Sequence, residues 1–176
     1  MKRFLVVVDI QNDFVDGALG TKEAQAIIDC ATEKIAGFDG DIFVTYDTHF
    51  DNYMTTREGE KLPVPHCIKG TTGWELNCKI ATALSKRYYT PVEKLTFGSV
   101  ELPKLIEAAA DGEEFEITLI GLCTDICVVS NALILKASFP EMNIIVDASC
   151  CAGVTVASHN AALNTMAMCQ IEIINN

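Results

Sequence analysis

Residues Phe4–Ile10 read "FLVVVDI". The run Phe4–Val8 is apolar at every position and then meets Asp9. A strand with one wet face alternates apolar and polar residues. An unbroken Val/Leu/Phe run of strand length instead marks a strand covered on both faces, which is the situation inside a parallel sheet. Comparable strand segments follow at Ile42–Tyr46, Arg87–Pro91, Glu116–Leu122, Asn143–Val146 and Gln170–Ile174. Between them lie helical patterns at Thr21–Gly37, Glu75–Lys86, Glu101–Ala110, Asp125–Ala137 and Thr155–Met168. Strand–helix alternation of this kind predicts an α/β fold: a single-domain, doubly wound (Rossmann-like) three-layer sandwich with a mostly parallel six-stranded sheet. The length of 176 residues suits one domain, residues 1–176, with an adequate core.

Composition narrows the function. Hydrophobic residues make up 49% and charged residues 21%, an ordinary globular balance. The net charge of −11, from 24 acids against 13 bases, repels nucleic acid and anionic lipid, so neither is expected as a partner. No apolar run approaches the ~18 residues of a membrane span. The start "MKRFLVVVDI" turns polar at Asp9, too early for a secretory leader, and reads as a buried first strand of a cytoplasmic protein. In that compartment the eight cysteines are expected to be reduced, most of them as small core residues.

Parallel α/β sheets place their sites beyond the carboxyl ends of the strands. In this sequence those ends carry Asp9 followed by Gln11-Asn12-Asp13-Phe14, then Asp47 and His49, then Lys94, then Cys123 and Cys127, then Asp147. A cysteine attacks as thiolate and needs a lowered pKa or a neighbouring base. With Thr124 or Asp125 as N-cap, Cys127 falls in the first turn of a helix, where exposed amides favour an anion. Cys123 precedes that helix and offers its backbone N–H, so the Cys123 and Cys127 amides could together hold an oxyanion. Asp9 could take the thiol proton, and Lys94 could hold thiolate and carboxylate together. Taken singly, the two cysteines also read as buried thiols, Asp9 as a cap and Lys94 as a solvated charge.

The segment Asp47–Thr72 is long and irregular, and such loops lean functional. It carries Asp47, His49, Glu58 and His66. Two imidazoles with one or two carboxylates suit a divalent ion: Zn²⁺, Mn²⁺, Fe²⁺ or Ni²⁺. The same residues read equally well as polar surface. His159 lies within a helical pattern and reads as structural.

Three ordered motifs carry a resemblance. "VVVDIQNDFVDGAL", "EKLTFGS" and "GLCTDICV" are similar to the first-strand turn, the lysine loop and the nucleophile motif of the isochorismatase-like cysteine hydrolases, and within them of the nicotinamidases. The resemblance covers essentially the whole chain. It implies a catalytic set of Asp9, Lys94 and Cys127, a cis peptide between Leu122 and Cys123 that turns the Cys123 amide toward the oxyanion, and a pocket lined by Phe14. It implies a divalent ion, Zn²⁺ first with Mn²⁺, Fe²⁺ or Ni²⁺ as alternatives, on Asp47, His49 and His66, with Glu58 as a ligand in some members. The implied reaction is hydrolysis of nicotinamide through a thioester on Cys127; the alternative is another small amide, a carbamoyl compound or a vinyl ether. A non-enzymatic member is a third reading, opposed by the intact Asp9, Lys94 and Cys127. The implied partners are a small-molecule amide and further copies of the chain in a homo-oligomer. The sequence departs from many nicotinamidases at "LPVPHC", where a tryptophan-proline pair is replaced by Leu62-Pro63 and one pocket wall is expected to differ. Trp74 offers an aromatic face nearby but reads first as a core residue.

Overall fold

A computed structural model describes residues 1–176. Six strands, β1 (Lys2–Val8), β2 (Asp41–Asp47), β3 (Tyr89–Lys94), β4 (Phe115–Leu122), β5 (Asn143–Ala152) and β6 (Glu172–Ile174), form one sheet in the order β3-β2-β1-β4-β5-β6. Every pairing is parallel, so the sheet is wholly rather than mostly parallel.

The first strand shows why. Phe4, Val6 and Val8 point into one apolar cluster, and Leu5 and Val7 point into the other, with no exposure on either side. Alternate residues serve opposite faces, so a strand buried on both must be apolar throughout. The first cluster is closed by α6 (Leu102–Ala110), α7 (Val129–Ser138) and α8 (Val156–Met168), through Ile106, Leu135 and Met166 among others. The second is closed by α3 (Ile28–Gly37) and α5 (Cys78–Leu84), through Ile35, Ile80 and Leu84, with the short α1 (Asn12–Val15) and α2 (Lys22–Ala26) beside them. The remaining helix, α4 (Arg57–Lys61), lies in the long segment after β2.

Several expected boundaries shift. The helix expected over Thr21–Gly37 breaks at Ile27 into α2 and α3, with Thr21 capping the Ala24 N–H at 3.0 Å. Strand β3 runs to Lys94, which is therefore its last residue and registers with Asp47 of β2. Asp147 does not follow β5 but lies inside it. Its carboxylate is satisfied there by Lys34 at 2.8 Å, Ser149 at 2.8 Å and Asn175 at 3.0 Å, so the strand continues past it. It takes no part in the polar edge expected for it. No helix is long and apolar enough to cross a membrane.

The strand order reverses between β1 and β4, where Val8 pairs with Gly121. Parallel sheets open a crevice at such a switch point. Gly121 has φ 124°, and a Cβ there would strike the Val8 carbonyl, so only glycine lets the two strands end this close together. The peptide that follows, Leu122–Cys123, is cis.

Candidate active site

Asp9 leaves β1 with φ 48°, a left-handed conformation unusual for a residue with a Cβ. Thr45 fixes it there. The Asp9 N–H reaches the Thr45 carbonyl at 3.3 Å and its Oγ1 at 3.2 Å, and the Thr45 hydroxyl donates back to Asp9 Oδ1 at 2.6 Å. Asp9 is fully buried. Its other oxygen, Oδ2, lies 2.6 Å from Lys94 Nζ, an off-axis ion pair that leaves Oδ2 without an aligned hydrogen bond. Burial raises the Asp9 carboxyl above its ordinary value, although the Lys94 charge works against the rise.

Lys94 is the hub. Its buried ammonium donates to Asp47 Oδ1 at 3.1 Å and to Cys127 Sγ at 3.5 Å while pairing with Asp9. Its desolvation is overcome by the charges of Asp9 and Asp47, which hold it protonated. One cation therefore touches the carboxylate, the thiol and the first residue of the histidine cluster.

Cys127 does not sit in the first turn of an α-helix. Residues Thr124–Val128 form a wider π-type turn, closed by the Val128 N–H on the Cys123 carbonyl at 3.0 Å, and α7 begins only at Val129. Neither Thr124 nor Asp125 caps it with a side chain. Asp125 instead accepts the Val154 N–H at 3.1 Å, and the Thr124 hydroxyl bonds His159 Nδ1 at 2.8 Å, tying the turn to α8 and the loop before it. His159 lies on α8, where a helical pattern was expected. Burial, and then the Asp9 charge, push the Cys127 thiol well above its usual range, with Lys94 opposing. A thiol so placed reacts as a neighbouring base takes its proton. The Cys123 thiol is half-buried and pushed up to about 12 by burial and the Asp125 charge. All eight cysteines are unpaired.

Asp47, His49 and His66 converge with their ligating atoms within 4.8 Å of one another, all three buried. His49 Nε2 lies 3.1 Å and His66 Nε2 3.6 Å from Asp47 Oδ2, and Glu58 Oε1 stands 3.7 Å from both imidazole nitrogens. Ligand bonds of ~2.0–2.2 Å around one ion put neighbouring donors roughly 3–3.5 Å apart, so this set fits a divalent ion with little adjustment. The Nδ1 of His66 faces the Val64 carbonyl at 2.8 Å, which directs Nε2 inward. Burial works to raise the Asp47 carboxyl, but hydrogen bonds from both histidines and the Lys94 charge hold it well below the usual carboxylate range.

Three residues that the motif reading left without a role build this cluster. Gln11 clamps the Asp47 backbone from both sides, accepting its N–H at 2.8 Å and donating to its carbonyl at 2.9 Å. Asp13 accepts the Cys67 N–H at 2.8 Å and the Ala18 N–H at 3.2 Å, pinning the chain beside His66. Tyr53 packs against both imidazoles, with centroids at 4.7 and 5.1 Å, and its hydroxyl holds the Leu62 carbonyl at 2.9 Å. Gln11 and Asp13 sit in the quoted "DIQNDF" turn, so a signal existed; nothing in the sequence singled out Tyr53.

Cys127, Cys123, Asp47, Glu58 and His66 open onto one cavity of ≈ 440 Å³, the size of a site for a small ring-bearing molecule. Phe14, Leu62, Leu95, Phe97 and Ile126 form its apolar walls. Phe14 is thus where it was expected, 5.5 Å from the His66 ring. Trp74 is not in this wall; it stacks on Tyr46 at 5.3 Å and donates to Thr48 at 2.9 Å. A thiol, a base and a buried ammonium around one polar corner are the parts needed for acyl transfer, and the donor cluster beside them can grip a heteroatom of the acyl group.

Residues 3–176 match the family described as the isochorismatase domain. The nicotinamidase/pyrazinamidase of Mycobacterium tuberculosis is 27% identical over 187 aligned positions, covering 98% of both chains. The pyrazinamidase/nicotinamidase of Streptococcus mutans superposes with a TM-score of 0.82 at 28% identity, over 98% of this chain and all of that one. The pyrazinamidase of Pyrococcus horikoshii, solved in complex with zinc, shares the fold with a TM-score of 0.81 at 24% identity over the full length of both.

Proposed function

The chain belongs to the isochorismatase family, and from that premise we propose that residues 1–176 form one metal-dependent cysteine amidohydrolase of the nicotinamidase type. It converts nicotinamide and water to nicotinic acid and ammonia. The observation that carries this reading is the Lys94 ammonium, which contacts Asp9, Cys127 and Asp47 at once and so joins a nucleophile–base pair to a ligand cluster across one cavity.

In the mechanism, Asp9 takes the proton of the Cys127 thiol as Sγ bonds to the amide carbon. Transfer and attack proceed together, with the Lys94 ammonium in contact with both the Asp9 carboxylate and Sγ. The backbone N–H groups of Cys123 and Cys127 stabilise the oxyanion of the tetrahedral intermediate. Asp9 then returns the proton to the departing nitrogen, the C–N bond breaks, and ammonia leaves a thioester on Cys127. Asp9 next accepts a proton from water as its oxygen attacks the thioester. The C–S bond breaks, the thiolate recovers that proton, and nicotinic acid is released. Lys94 stays charged throughout and compensates the charge that moves between Asp9 and Sγ. Phe14 and Phe97 flank the ring. Asp47, His49 and His66, with Glu58 at the margin, would hold the divalent ion, which supplies a Lewis-acid contact for the ring nitrogen.

Ammonia release from nicotinamide tests the reading. Chelation should lower kcat/KM at least about tenfold, and added Zn²⁺ should restore it. His66→Ala should lose the restoration, and Glu58→Ala should weaken metal retention less. Unchanged turnover after verified metal removal would refute metal dependence. Turnover of isochorismate by the metal-free protein, without ammonia release from nicotinamide, would establish the vinyl-ether alternative.

A further inference from the structure

The apolar wall at Leu95 and Phe97 is weakly held by its own surroundings. Both side chains are substantially exposed, at 64% and 45%. From Leu95 to Ser99 the chain has no regular structure. The hydrogen bonds of this stretch are an internal one, Thr96 Oγ1 to the Gly98 carbonyl at 2.7 Å, one from the Leu102 N–H at the start of α6 to Ser99 Oγ at 3.2 Å, and two to a single side chain, Asn131.

Asn131 lies on α7, fully buried. Its Oδ1 accepts the Ser99 N–H at 2.9 Å, and its Nδ2 donates to the Phe97 carbonyl at 3.2 Å and to the Cys127 carbonyl at 2.8 Å. The amide therefore grips the loop on both sides of Gly98 and the nucleophile residue with the same group. Gly98 packs closely on α7 beside this grip, where a Cβ would meet the tip of Ile134 and the Ser130 backbone.

We propose that Asn131 is the positioning residue that sets the Phe97 wall of the cavity against Cys127, and so governs selection of ring-bearing amides. An aspartate of similar size retains the acceptor for Ser99 but donates nothing to Phe97 or Cys127. Alanine removes all three bonds and leaves room for water. The proposal rests on the amidohydrolase reading for its kinetic consequence but not for its structural one, and the two can be measured separately.

The experiment compares wild type, Asn131→Ala, Asn131→Asp, Phe97→Ala and the Asn131→Ala/Phe97→Ala double variant. Hydrogen exchange should quicken across residues 95–101 in Asn131→Ala, and less in Asn131→Asp, which keeps the Ser99 acceptor, while β1 and β4 stay protected. If Asn131→Ala does not fold, Asn131→Asp carries the same comparison. With nicotinamide, Asn131→Ala should lower kcat/KM about tenfold, mainly through KM, since the three lost bonds reach the substrate only through the Phe97 wall. Phe97→Ala should raise KM comparably, and the double variant should be no worse than Phe97→Ala alone, because both changes remove one wall. Unchanged exchange in residues 95–101, or a fall in kcat at constant KM with additive double-variant losses, would overturn the assignment. A wild type that releases no ammonia from nicotinamide would defeat the substrate reading alone, leaving the exchange result to decide the role of Asn131.

Discussion

Cys127→Ala is expected to lower nicotinamide hydrolysis by about 10⁴-fold or more, as removal of a covalent nucleophile does elsewhere. Alanine leaves no group to form the thioester, and the backbone of the turn need not change. Cys123→Ala should be mild by comparison, within a few-fold, because that residue is assigned only its N–H, which alanine keeps. The contrast between the two variants is therefore sharper than either alone. The burial that pushes both thiols upward does not distinguish them. The Lys94 contact at 3.5 Å does, since only Cys127 has an ammonium to receive its charge. Cys127→Ser tests the same point through chemistry: a less acidic hydroxyl in the same place should be nearly as inactive as alanine. Full activity in Cys127→Ser, or equal losses at positions 123 and 127, would refute the assignment. The measurement is steady-state ammonia release, with thermal unfolding confirming that each variant is folded.

The same pair shows what the sequence could reveal. The apolar run at Phe4–Val8 already implied burial on both faces, and a doubly wound sheet of six strands followed from strand–helix alternation, though not the order of its strands. The residues at the strand ends could be named because a parallel sheet gathers its carboxyl ends on one edge. What could not be read was local backbone shape. A π-type turn and an α-helical first turn accept the same residues at Thr124–Val128, so sequence pattern placed Cys127 in the first turn of a helix, where the structure has the wider turn instead. Asp147 failed for a related reason: a charge inside an apolar run looks like a strand end unless its partners, here Lys34 and Asn175, are known to lie across the fold. Tyr53 and Asn131 were invisible because their importance lies in what they touch. Gln11 was visible in its motif, but its two bonds to the Asp47 backbone needed β1 and β2 side by side.

Asp9→Asn should lower kcat by about 10²–10⁴-fold, the range for losing a positioned general base that also serves as the acid. Asparagine keeps the size and can still accept from the Thr45 hydroxyl, so the turn after β1 should survive. The substitution removes one negative charge from a buried trio of Asp9, Asp47 and Lys94. Breaking a buried ion pair outright costs about 3–5 kcal/mol, but Lys94 retains Asp47 at 3.1 Å, so the loss here should fall below that range. Lys94→Met is the opposite case, leaving two carboxylates buried without a cation, and it should cost at least that much. The pH dependence follows from the same balance. Asp9 works as a carboxylate, and burial raises its pKa above the ordinary value of 3.8. Activity should therefore rise with pH through an acidic limb displaced upward from that value, the base form lying on its alkaline side. The limb should vanish from the residual activity of Asp9→Asn. Persistence of the same limb in Asp9→Asn would mean that another group, with Asp47 the nearest carboxylate on Lys94, controls the proton.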